Sequence, residues 1–357
     1  MADRLGEYRR KRRPDATPEP AADASPDVES TAQRFVIQEH SATRLHWDLR
    51  LERDGVLVSW ALPSGIPLDP ERNGMAVHTE DHPIEYLDFE GEIPAGNYGA
   101  GLMKIWDRGT YEAEKFESGK VILTFNGERA EGRYALFRAG KTERDWMIHR
   151  MDPAPEWLEP MPERLSPMIA SPGELPRNED EWAYELGWPG ERVLANVTPG
   201  KLRLETVAGE DITSKFPEVR RITRALGSVS AILDGVLVSL GPDGRPKPDG
   251  VEARLGLASD STVRRRAKRD PVRLHLFDAP YLEGRVIAAE PYTERRSRLE
   301  ALDLEGEAWL VPKNHRGDGK ALLSGIEPLG LSAIVAKRLA SPYEPGPSED
   351  WLTIMKA

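Results

Sequence analysis

The sequence predicts a two-domain protein in which a β-rich barrel or sandwich precedes an α+β domain. Its 357 residues fit two domains at roughly 100–200 residues each. Residues 33–152 hold many short segments of alternating apolar and polar residues separated by turn signals, which is typical of a barrel or sandwich. Residues 167–357 instead mix strand-like and helical patterns. The proline-rich residues 153–166 predict a linker between the two domains.

Composition limits the classes of protein and site that need to be considered. Hydrophobic residues make up 39% of the chain and charged residues 31%, which indicates a soluble globular protein. The chain has no cysteine, which excludes disulfides, cysteine–metal sites and thiol nucleophiles. No apolar stretch approaches the roughly 20 residues of a membrane helix, and no apolar segment marks a secretory signal. We therefore expect a cytoplasmic protein without a membrane partner, whose metal ligands would be His, Asp, Glu or backbone groups.

Residues 1–32 form an N-terminal segment with an uneven charge distribution. The whole chain has a formal net charge of −11, but residues 1–13 carry a cluster of basic side chains. A basic arm on an acidic body either contacts phosphate groups or frays into solvent. The residues that follow, up to 32, are rich in proline, alanine and acids, which indicates an extended linker or a surface wrap. The basic residues of the arm are Arg4, Arg9, Arg10, Lys11, Arg12 and Arg13.

The alternating segments define individual strands in the first domain and some elements of the second. Pro217 and Gly227 favour a helix over residues 217–227, because proline begins and glycine ends helices well. Predicted strands of the first domain cover residues 34–40, 44–52, 56–62, 75–80, 101–107, 109–114, 120–125, 132–138 and 145–150. In the second domain we predict further helices over 293–304 and 319–330, and strands over 232–240 and 272–282.

Four of the seven histidines lie between positions 40 and 82, which is the first chemical signal. On the strand over 44–52, period-two alternation places one polar set on a single face. The preceding strand carries His40, close enough to join this face by hairpin pairing. Two imidazoles and a carboxylate suit Mn²⁺, Fe²⁺ or Zn²⁺, and a neighbouring guanidinium suits a phosphate. The alternative is an ordinary solvated sheet face. The polar set is His46, Asp48, Arg50 and Glu52.

The loop-rich segment 80–99 adds His82 and Tyr86 among glycines and prolines, a setting that often hosts function. Three segments together resemble the 3′-phosphoesterase domain of bacterial ligase D. They are RFVIQEHSATRLHWDLRLERDGVLVSWALP, EDHPIEYLDFEGEIPAGNYGAG and IWDRGTYE. The resemblance spans about residues 8–152. It implies a small closed β-barrel with one divalent metal ion, preferably Mn²⁺. It also implies removal of a 3′-terminal ribonucleoside and then of the 3′-phosphate, leaving a 3′-hydroxyl.

The same resemblance assigns roles residue by residue. It implies that His40, His46 and Asp48 bind the metal, and that Arg50 and His82 contact the phosphate, with His82 stabilising the transition state. His40, Arg50 and His82 are thus the predicted catalytic residues. At the position after Arg12 the family has an acidic residue and this chain has Arg13, which weakens the expectation for the ribonucleoside-removing step. We expect structural roles for His78 and His149. The implied substrate-binding residues are Arg12, Glu19, Gln38, Arg50 and Tyr86.

Residues 165–357 resemble the adenylation domain of ATP-dependent DNA ligases, through GEDITSKFPE, ILDGVLVSL, LFDAPYLEGR and IVAKRLASPYEPG. The resemblance implies an α+β nucleotidyltransferase fold, but the catalytic positions differ. The family nucleophile is the Lys of a Lys-x-Asp-Gly motif, and here Gly187 stands in its place. Without that nucleophile, covalent adenylation has no route, so we expect no use of ATP and no ligation. The other altered motifs read Val207-Ala208-Gly209, Asp234-Gly235-Val236, Ser332-Ala333 and Thr353-Ile354-Met355.

Two functions follow from these observations. The first is a Mn²⁺-dependent 3′-phosphoesterase that heals DNA or primer 3′ ends in repair and end joining, tethered to a degenerate ligase domain. The alternative is a non-catalytic scaffold that binds DNA ends and recruits a Ku-like protein, a separate ligase or a polymerase. The intact set of polar residues between positions 38 and 86 favours the enzyme. The altered motifs of the second domain favour a binding role there. The sequence leaves DNA and RNA ends open as substrates.

Overall fold

A computed structural model describes residues 3–12, 17–22, 33–42, 45–227, 229–247 and 249–356. The chain divides into two compact units, Met1–Leu158 and Glu159–Ala357. None of the helices in the described ranges is long and apolar enough to cross a membrane.

The first unit is a closed antiparallel barrel, as predicted. Eight strands follow one another in the order β1-β2-β3-β4-β9-β8-β7-β6, and pairing of β6 with β1 closes the ring, with β5 added beside β6. Closure removes the unpaired sheet edges that would otherwise invite aggregation. The strands are β1 Arg34–Ser41, β2 Leu45–Arg53, β3 Val56–Leu62, β4 Gly74–His78, β5 Gly91–Ile93, β6 Gly101–Glu117, β7 Lys120–Asn126, β8 Glu131–Arg138 and β9 Asp145–Arg150.

Two details of the barrel differ from the predicted strands. The segments 101–107 and 109–114 are one long strand, β6, rather than two. The pairing of β6 with β1 shifts register opposite Ile37 and Gln38, where β6 carries one extra residue. The strand bends there, so that β6 pairs first with β1 and then with β7. Gly109 permits this course, because a Cβ there would lie 2.3 Å from the carbonyl oxygen of Asn126. The short strand β5 was not predicted, since three residues give no periodic signal.

Apolar side chains of alternating positions fill the barrel, which is why the period-two pattern was informative. From β2 these are Trp47, Leu49 and Leu51, all at most 1% exposed. A second apolar cluster contains Tyr8 and Ala22 from the N-terminal segment. The interpretation of the basic arm as a frayed terminus is therefore wrong for residues 6–11, because they form a helix, α1 (Gly6–Lys11), that is anchored through Tyr8. Residues 13–16 and 23–32 lie outside the described residues.

The second unit is α+β, as predicted. One sheet has the order β10-β20-β19-β11-β18, and the other β13-β12-β14-β15-β16 with β17 beside β15. Its strands are β10 Met168–Pro172, β11 Trp182–Leu186, β12 Glu191–Thr198, β13 Lys201–Thr206, β14 Ala231–Ser239, β15 Val272–Leu282, β16 Arg285–Val286, β17 Trp309–Leu310, β18 His315–Arg316, β19 Ala333–Arg338 and β20 Gly346–Met355. Its helices are α2 Ile222–Leu226, α3 Asp249–Leu255, α4 Asp260–Arg269, α5 Tyr292–Ala301 and α6 Gly319–Gly325.

Most predicted elements of this unit occur where the patterns placed them. The predicted helix over 217–227 is a 3₁₀ helix, Pro217–Arg221, continued by α2 and ended by Gly227 at φ 58°. The predicted helix over 319–330 is shorter, because α6 gives way to a 3₁₀ turn at Glu327–Leu329. The sequence patterns did not predict helices α3 and α4. Their mainly polar and charged sequences carry little apolar periodicity.

We predict that Leu49→Ala destabilises the first unit by about 2–5 kcal/mol, because it leaves a cavity in a core without solvent access. Urea unfolding followed by fluorescence measures the change. Leu102→Ala is the matched control, since Leu102 of β6 is 42% exposed and should change the free energy of unfolding by no more than about 0.5 kcal/mol. Equal effects of the two substitutions would contradict the described barrel interior.

Candidate metal centre and active site

Pairing of β1 with β2 brings two histidines and an aspartate to one point. In the antiparallel register, His40 lies directly opposite His46, and Asp48 follows on the same face of β2. His40 Nδ1 lies 3.1 Å from His46 Nε2 and 3.5 Å from Asp48 Oδ2, and His46 Nε2 lies 3.8 Å from Asp48 Oδ1. Of the described residues, these form the cluster of three ligand atoms suited to a metal ion.

Hydrogen bonding fixes the tautomer of His40 and so determines which ring nitrogen faces His46 and Asp48. Its Nε2 lies 2.9 Å from the carbonyl oxygen of Gly99, which can only accept, so Nε2 carries the hydrogen. Nδ1 is then the bare nitrogen and faces His46 and Asp48. Burial opposes ionisation of Asp48, but the charge of Arg50, which donates to Oδ2, holds the pKa of this carboxyl well below its usual range. Two neutral nitrogens and one carboxylate oxygen fit a divalent transition metal such as Mn²⁺, Fe²⁺ or Zn²⁺.

Arg50 lies beside this cluster and is only 2% exposed. It donates to Gln38 Oε1 at 2.7 Å, to Ser59 Oγ at 3.2 Å and to Asp48 Oδ2 at 3.1 Å. Gln38 in turn donates to the carbonyl oxygens of Tyr86 and Phe89. The alternative of a solvated polar face is therefore wrong, because this face of β2 is buried. Sequence reasoning missed Ser59, whose one signal was a polar residue inside the apolar segment over 56–62.

His82 is buried at the same site, 3% exposed, and its tautomer follows from its neighbours. Nδ1 lies 2.8 Å from the carbonyl oxygen of Glu80, and Nε2 lies 3.2 Å from Arg12 Nη2. Because a guanidinium can only donate, Nε2 accepts and Nδ1 carries the hydrogen. Burial, together with the charges of Arg50 and Arg12, holds the pKa of His82 well below its usual value. The imidazole is thus neutral in the substrate-free protein.

The N-terminal segment supplies further polar groups to the site. Arg12 pairs with Glu19 at 2.9 Å and with Glu80 at 2.5 Å, and Glu19 also accepts a hydrogen bond from the Tyr86 hydroxyl. Burial opposes ionisation of Glu80, but its hydrogen bonds with Arg12 and Lys11 lower its pKa. The structure thus brings together all the predicted substrate-binding residues. Sequence reasoning missed Glu80, which sits two positions before His82 at the edge of the motif.

Tyr8 is the residue that holds this segment in place, and the sequence analysis did not select it. Its ring meets His82 edge-on at 5.3 Å between centroids, and the Arg12 guanidinium lies 4.1 Å from its centre. Its hydroxyl donates to the carbonyl oxygen of Pro20 at 2.7 Å, next to Glu19. The one signal in the sequence was an aromatic residue within a basic arm. Arg13, whose departure from the family bears on the ribonucleoside-removing step, lies outside the described residues.

The other two histidines of this unit take part in packing and surface contacts. His78 lies against Trp60 and Trp146, at 5.3 and 5.9 Å between ring centroids. His149 contacts the Asn73 side chain at 2.9 Å. Neither is in the metal-ligand cluster described above.

In the second unit, Gly187 directly follows β11 and packs against the backbone of Ala333. Its amide donates to the Ala333 carbonyl oxygen at 3.0 Å. A Cβ at position 187 would lie 2.7 Å from that oxygen and 3.1 Å from the Ala333 side chain. Any side chain there would require the neighbouring strand β19 to move.

Buried charged residues of the second unit are paired with one another. Lys337 is 1% exposed and lies 2.9 Å from Glu185, with the rings of Phe277 and Trp351 at 4.0 and 4.2 Å. Burial lowers the pKa of Lys337, although the charge of Glu185 opposes this. Arg192 holds Asp234 through two hydrogen bonds of 2.7 and 2.6 Å. Lys337 and Arg192 thus each lie against a carboxylate of the same unit.

Two family models match the chain, one in each unit. Residues 38–138 match the DNA Ligase D 3′-phosphoesterase domain, and residues 167–354 match the ATP dependent DNA ligase domain. The multifunctional non-homologous end joining protein LigD of Mycolicibacterium smegmatis is 38% identical over 99% of this chain and 45% of its own length. The LigD protein of Pseudomonas aeruginosa is 34% identical over 98% of this chain and 47% of its own length. The chain thus spans about half the length of these relatives.

Among solved structures, mycobacterial DNA ligase D complexed with ATP and MES matches 54% of this chain and 60% of its own chain, at 30% identity and a TM-score of 0.44. The second unit has the fold of a ligase adenylation domain, in keeping with its family model. The chain therefore belongs to the family of the ATP dependent DNA ligase domain, which covers its second unit, and its first unit matches the DNA Ligase D 3′-phosphoesterase domain.

Proposed function

We propose that the first unit is a metal-dependent 3′-phosphoesterase that heals DNA or primer 3′ ends during end joining. The observation that carries the proposal is the convergence of a three-ligand cluster, a buried arginine and a neutral buried histidine in one site. A phosphate ester needs its charge neutralised and its leaving oxygen protonated. The 3′-phosphoesterase family model over the same residues supports this reaction class.

His40, His46 and Asp48 would hold the metal ion, for which we propose Mn²⁺. A bound divalent ion supplies Lewis acidity toward a phosphoryl oxygen and lowers the pKa of water. Arg50 then orients phosphoryl oxygens through its planar fork. Its donors are already aligned by Gln38, Ser59 and Asp48, so little side-chain entropy is lost when the substrate enters.

We assign His82 the role of proton carrier at Nε2. In the substrate-free protein this atom accepts from Arg12. A 3′-phosphate dianion brings negative charge next to the ring, which favours the protonated imidazole. Nε2 can then take up a proton and donate it to a phosphoryl oxygen or to the leaving oxygen. This assignment rests on the position and neutrality of His82.

Arg12, Glu19 and Tyr86 are proposed to position the terminal nucleoside. They form a connected set over the site, through the Arg12–Glu19 ion pair and the Tyr86 hydrogen bond to Glu19. Removal of a 3′-ribonucleoside requires recognition beyond the phosphate, which such a set of polar groups can supply. An assay on a ribonucleotide-ended primer tests this second activity separately from removal of a 3′-phosphate, and matched DNA and RNA strands define the sugar preference.

We further propose that the second unit neither uses ATP nor ligates. Gly187 provides no nucleophile, and the packing against Ala333 leaves no room for one. Lys337 is neutralised by Glu185. The alternative for the whole chain, an end-binding scaffold that recruits a Ku-like protein, a separate ligase or a polymerase, gains support from these changes in the second unit. The two roles are compatible, one in each unit.

We predict that His46→Ala reduces 3′-phosphate removal by more than about 100-fold, since loss of a ligand should cost more than the 10–100-fold typical of outer-shell partners. A gel assay with a 5′-labelled primer ending in a 3′-phosphate measures conversion to the 3′-hydroxyl, and calorimetry measures Mn²⁺ binding. Chelator should stop the wild-type reaction and Mn²⁺ should restore it. His149→Ala is the control and should keep both properties. Unchanged binding and activity in His46→Ala would refute the proposed metal site.

A pH prediction follows from the environment of His82. Burial and the charges of Arg50 and Arg12 lower its pKa, whereas Asp48 opposes them, so His82 should titrate below about 6.5, the ordinary histidine pKa. Tyr8→Ala opens the ring to water and should raise that pKa toward about 6.5, so that the protonated, proton-donating form of His82 is more populated at about pH 6.5 than in the wild type.

The control for this prediction is Tyr8→Phe, which keeps the ring against His82 and should keep the wild-type profile. Nuclear magnetic resonance titration of labelled histidine measures the His82 pKa directly and does not depend on turnover. If Tyr8→Ala and the wild type titrate at the same pH, Tyr8 does not shield His82.

For the second unit, incubation with labelled ATP and Mg²⁺ should give no covalent adenylate. Restoring lysine by Gly187→Lys should also give none, because the new Cβ would meet the Ala333 carbonyl oxygen at 2.7 Å. We expect that substitution to destabilise the unit by about 1–3 kcal/mol, as overpacking does. Lys320→Ala on the surface is the control and should change stability little. A labelled band with the wild-type protein would disprove the proposed loss of adenylation.

A further inference from the structure

Tyr98 is an aromatic residue at the rim of the barrel site, and it has no part in the functions proposed so far. It lies in the loop over residues 94–100, which connects β5 to β6, and 50% of its surface is exposed. The next residue, Gly99, accepts a hydrogen bond from Nε2 of His40 at 2.9 Å through its carbonyl oxygen. The ring is therefore carried by the residue that directly precedes a contact with a predicted metal ligand.

The loop that carries this ring is held by its own hydrogen bonds. The amide of Asn97 donates to the carbonyl oxygen of Pro94, and the amide of Ala100 donates to the carbonyl oxygen of Asn97, both at 3.2 Å. Two turns thus follow each other directly. Gly96 and Gly99 have φ values of 92° and 75°, a region that glycine adopts without strain. A ring on such a loop loses little conformational entropy when a partner packs against it.

The N-terminal arm connects the Tyr98 ring to the centre of the site. Lys11 Nζ lies 4.8 Å from the centre of the ring, and the Arg12 guanidinium lies 5.2 Å from it. The same guanidinium lies 3.2 Å from Nε2 of His82, the atom to which we assign proton transfer. One arginine side chain therefore spans the space between the Tyr98 ring and the His82 imidazole.

The exposed part of the Tyr98 ring suits a neutral, planar partner better than a phosphate. The two cations beside it are already compensated, because Lys11 pairs with Glu80 at 2.8 Å. Arg12 pairs with Glu80 at 2.5 Å and with Glu19 at 2.9 Å. A phosphate would therefore gain little charge attraction here, whereas an aromatic ring offers a large apolar surface. Nucleobases stack on such rings, and they do so whatever their identity because every base has a π-face.

We propose that Tyr98 stacks on the base of the 3′-terminal nucleotide and thereby positions the attached phosphate beside the metal-ligand cluster and His82. The inference rests on the proposed 3′-phosphoesterase function and adds a substrate-positioning residue to it. Tyr98 takes no part in proton transfer or metal binding. Since stacking does not read the edges of a base, the contact allows one site to accept ends of any sequence.

The test compares a normal 3′ end with one that lacks the terminal base. Two 5′-labelled primers carry a 3′-phosphate, one on a nucleotide and the other on an abasic sugar, and a gel follows phosphate removal by the full chain with Mn²⁺. The wild type should prefer the base-bearing end by about 5- to 150-fold in kcat/KM, the range expected for one stacked base. Tyr98→Ala should lower this ratio to about one, mainly through a higher KM for the base-bearing end.

Two further variants separate stacking from a purely structural role in holding the arm. Tyr98→Phe keeps the ring but removes the hydroxyl, which lies 3.4 Å from Lys11 Nζ, and it should keep the wild-type ratio. Met75→Ala removes an exposed side chain of β4, opposite Met147 of β9, and should also keep it. Thermal unfolding verifies that the variants fold. If Tyr98→Ala slows both ends equally and the ratio persists, Tyr98 only holds the arm and the proposal is overturned. A wild type that processes both ends equally would overturn it too.

A binding measurement tests the stacking without turnover. The fluorescent base 2-aminopurine, placed at the 3′ terminus of the primer, loses fluorescence when it stacks on an aromatic ring, and chelator prevents the reaction. The wild type and Tyr98→Phe should quench this fluorescence, and Tyr98→Ala should not. Quenching that depends on Tyr98, without phosphate removal by the wild type with Mn²⁺, would support the stacking and reject the phosphoesterase. Phosphate removal without such quenching would do the reverse, so the two proposals fail separately.

Discussion

The burial of Arg50 is the constraint on which the candidate site depends. A guanidinium that is 2% exposed cannot lose its charge and would be very costly to bury without partners. Gln38, Ser59 and Asp48 supply those partners, each from a different position on three consecutive strands. The ring of Tyr86 adds a contact with the guanidinium at 4.7 Å. These partners fix the side chains around the phosphate-binding position before a substrate arrives.

Asp48 links this arrangement to the metal-ligand cluster. One of its oxygens accepts from Arg50, while both oxygens lie within 4 Å of a histidine nitrogen. The low pKa that results keeps Asp48 ionised, as a metal ligand must be. Burial lowers the pKa of His82, because the charged form of histidine is the protonated one and burial disfavours it. A single buried environment therefore holds an ionised carboxylate and a neutral imidazole side by side.

The fold of the second unit does not require a side chain at position 187. Its sheets are held by backbone hydrogen bonds and by an apolar core, neither of which depends on the altered motifs. Because Gly187 has no side chain, the end of β11 lies close against Ala333. Lys337 and Glu185 satisfy each other in the interior.

Much of this protein follows from its sequence alone. Alternating residues in 33–152 determined the barrel strands, since period two is imposed by the pleat of each strand. The spacing of His46, Asp48 and Arg50 determined their common face. Only the tertiary structure decided that this face is buried, because the covering groups, Gln38, Tyr86 and Arg12, come from distant segments. It alone showed that Tyr8 anchors the N-terminal arm. Burial and charge pairing between distant residues depend on how the strands close in space, which no local pattern specifies.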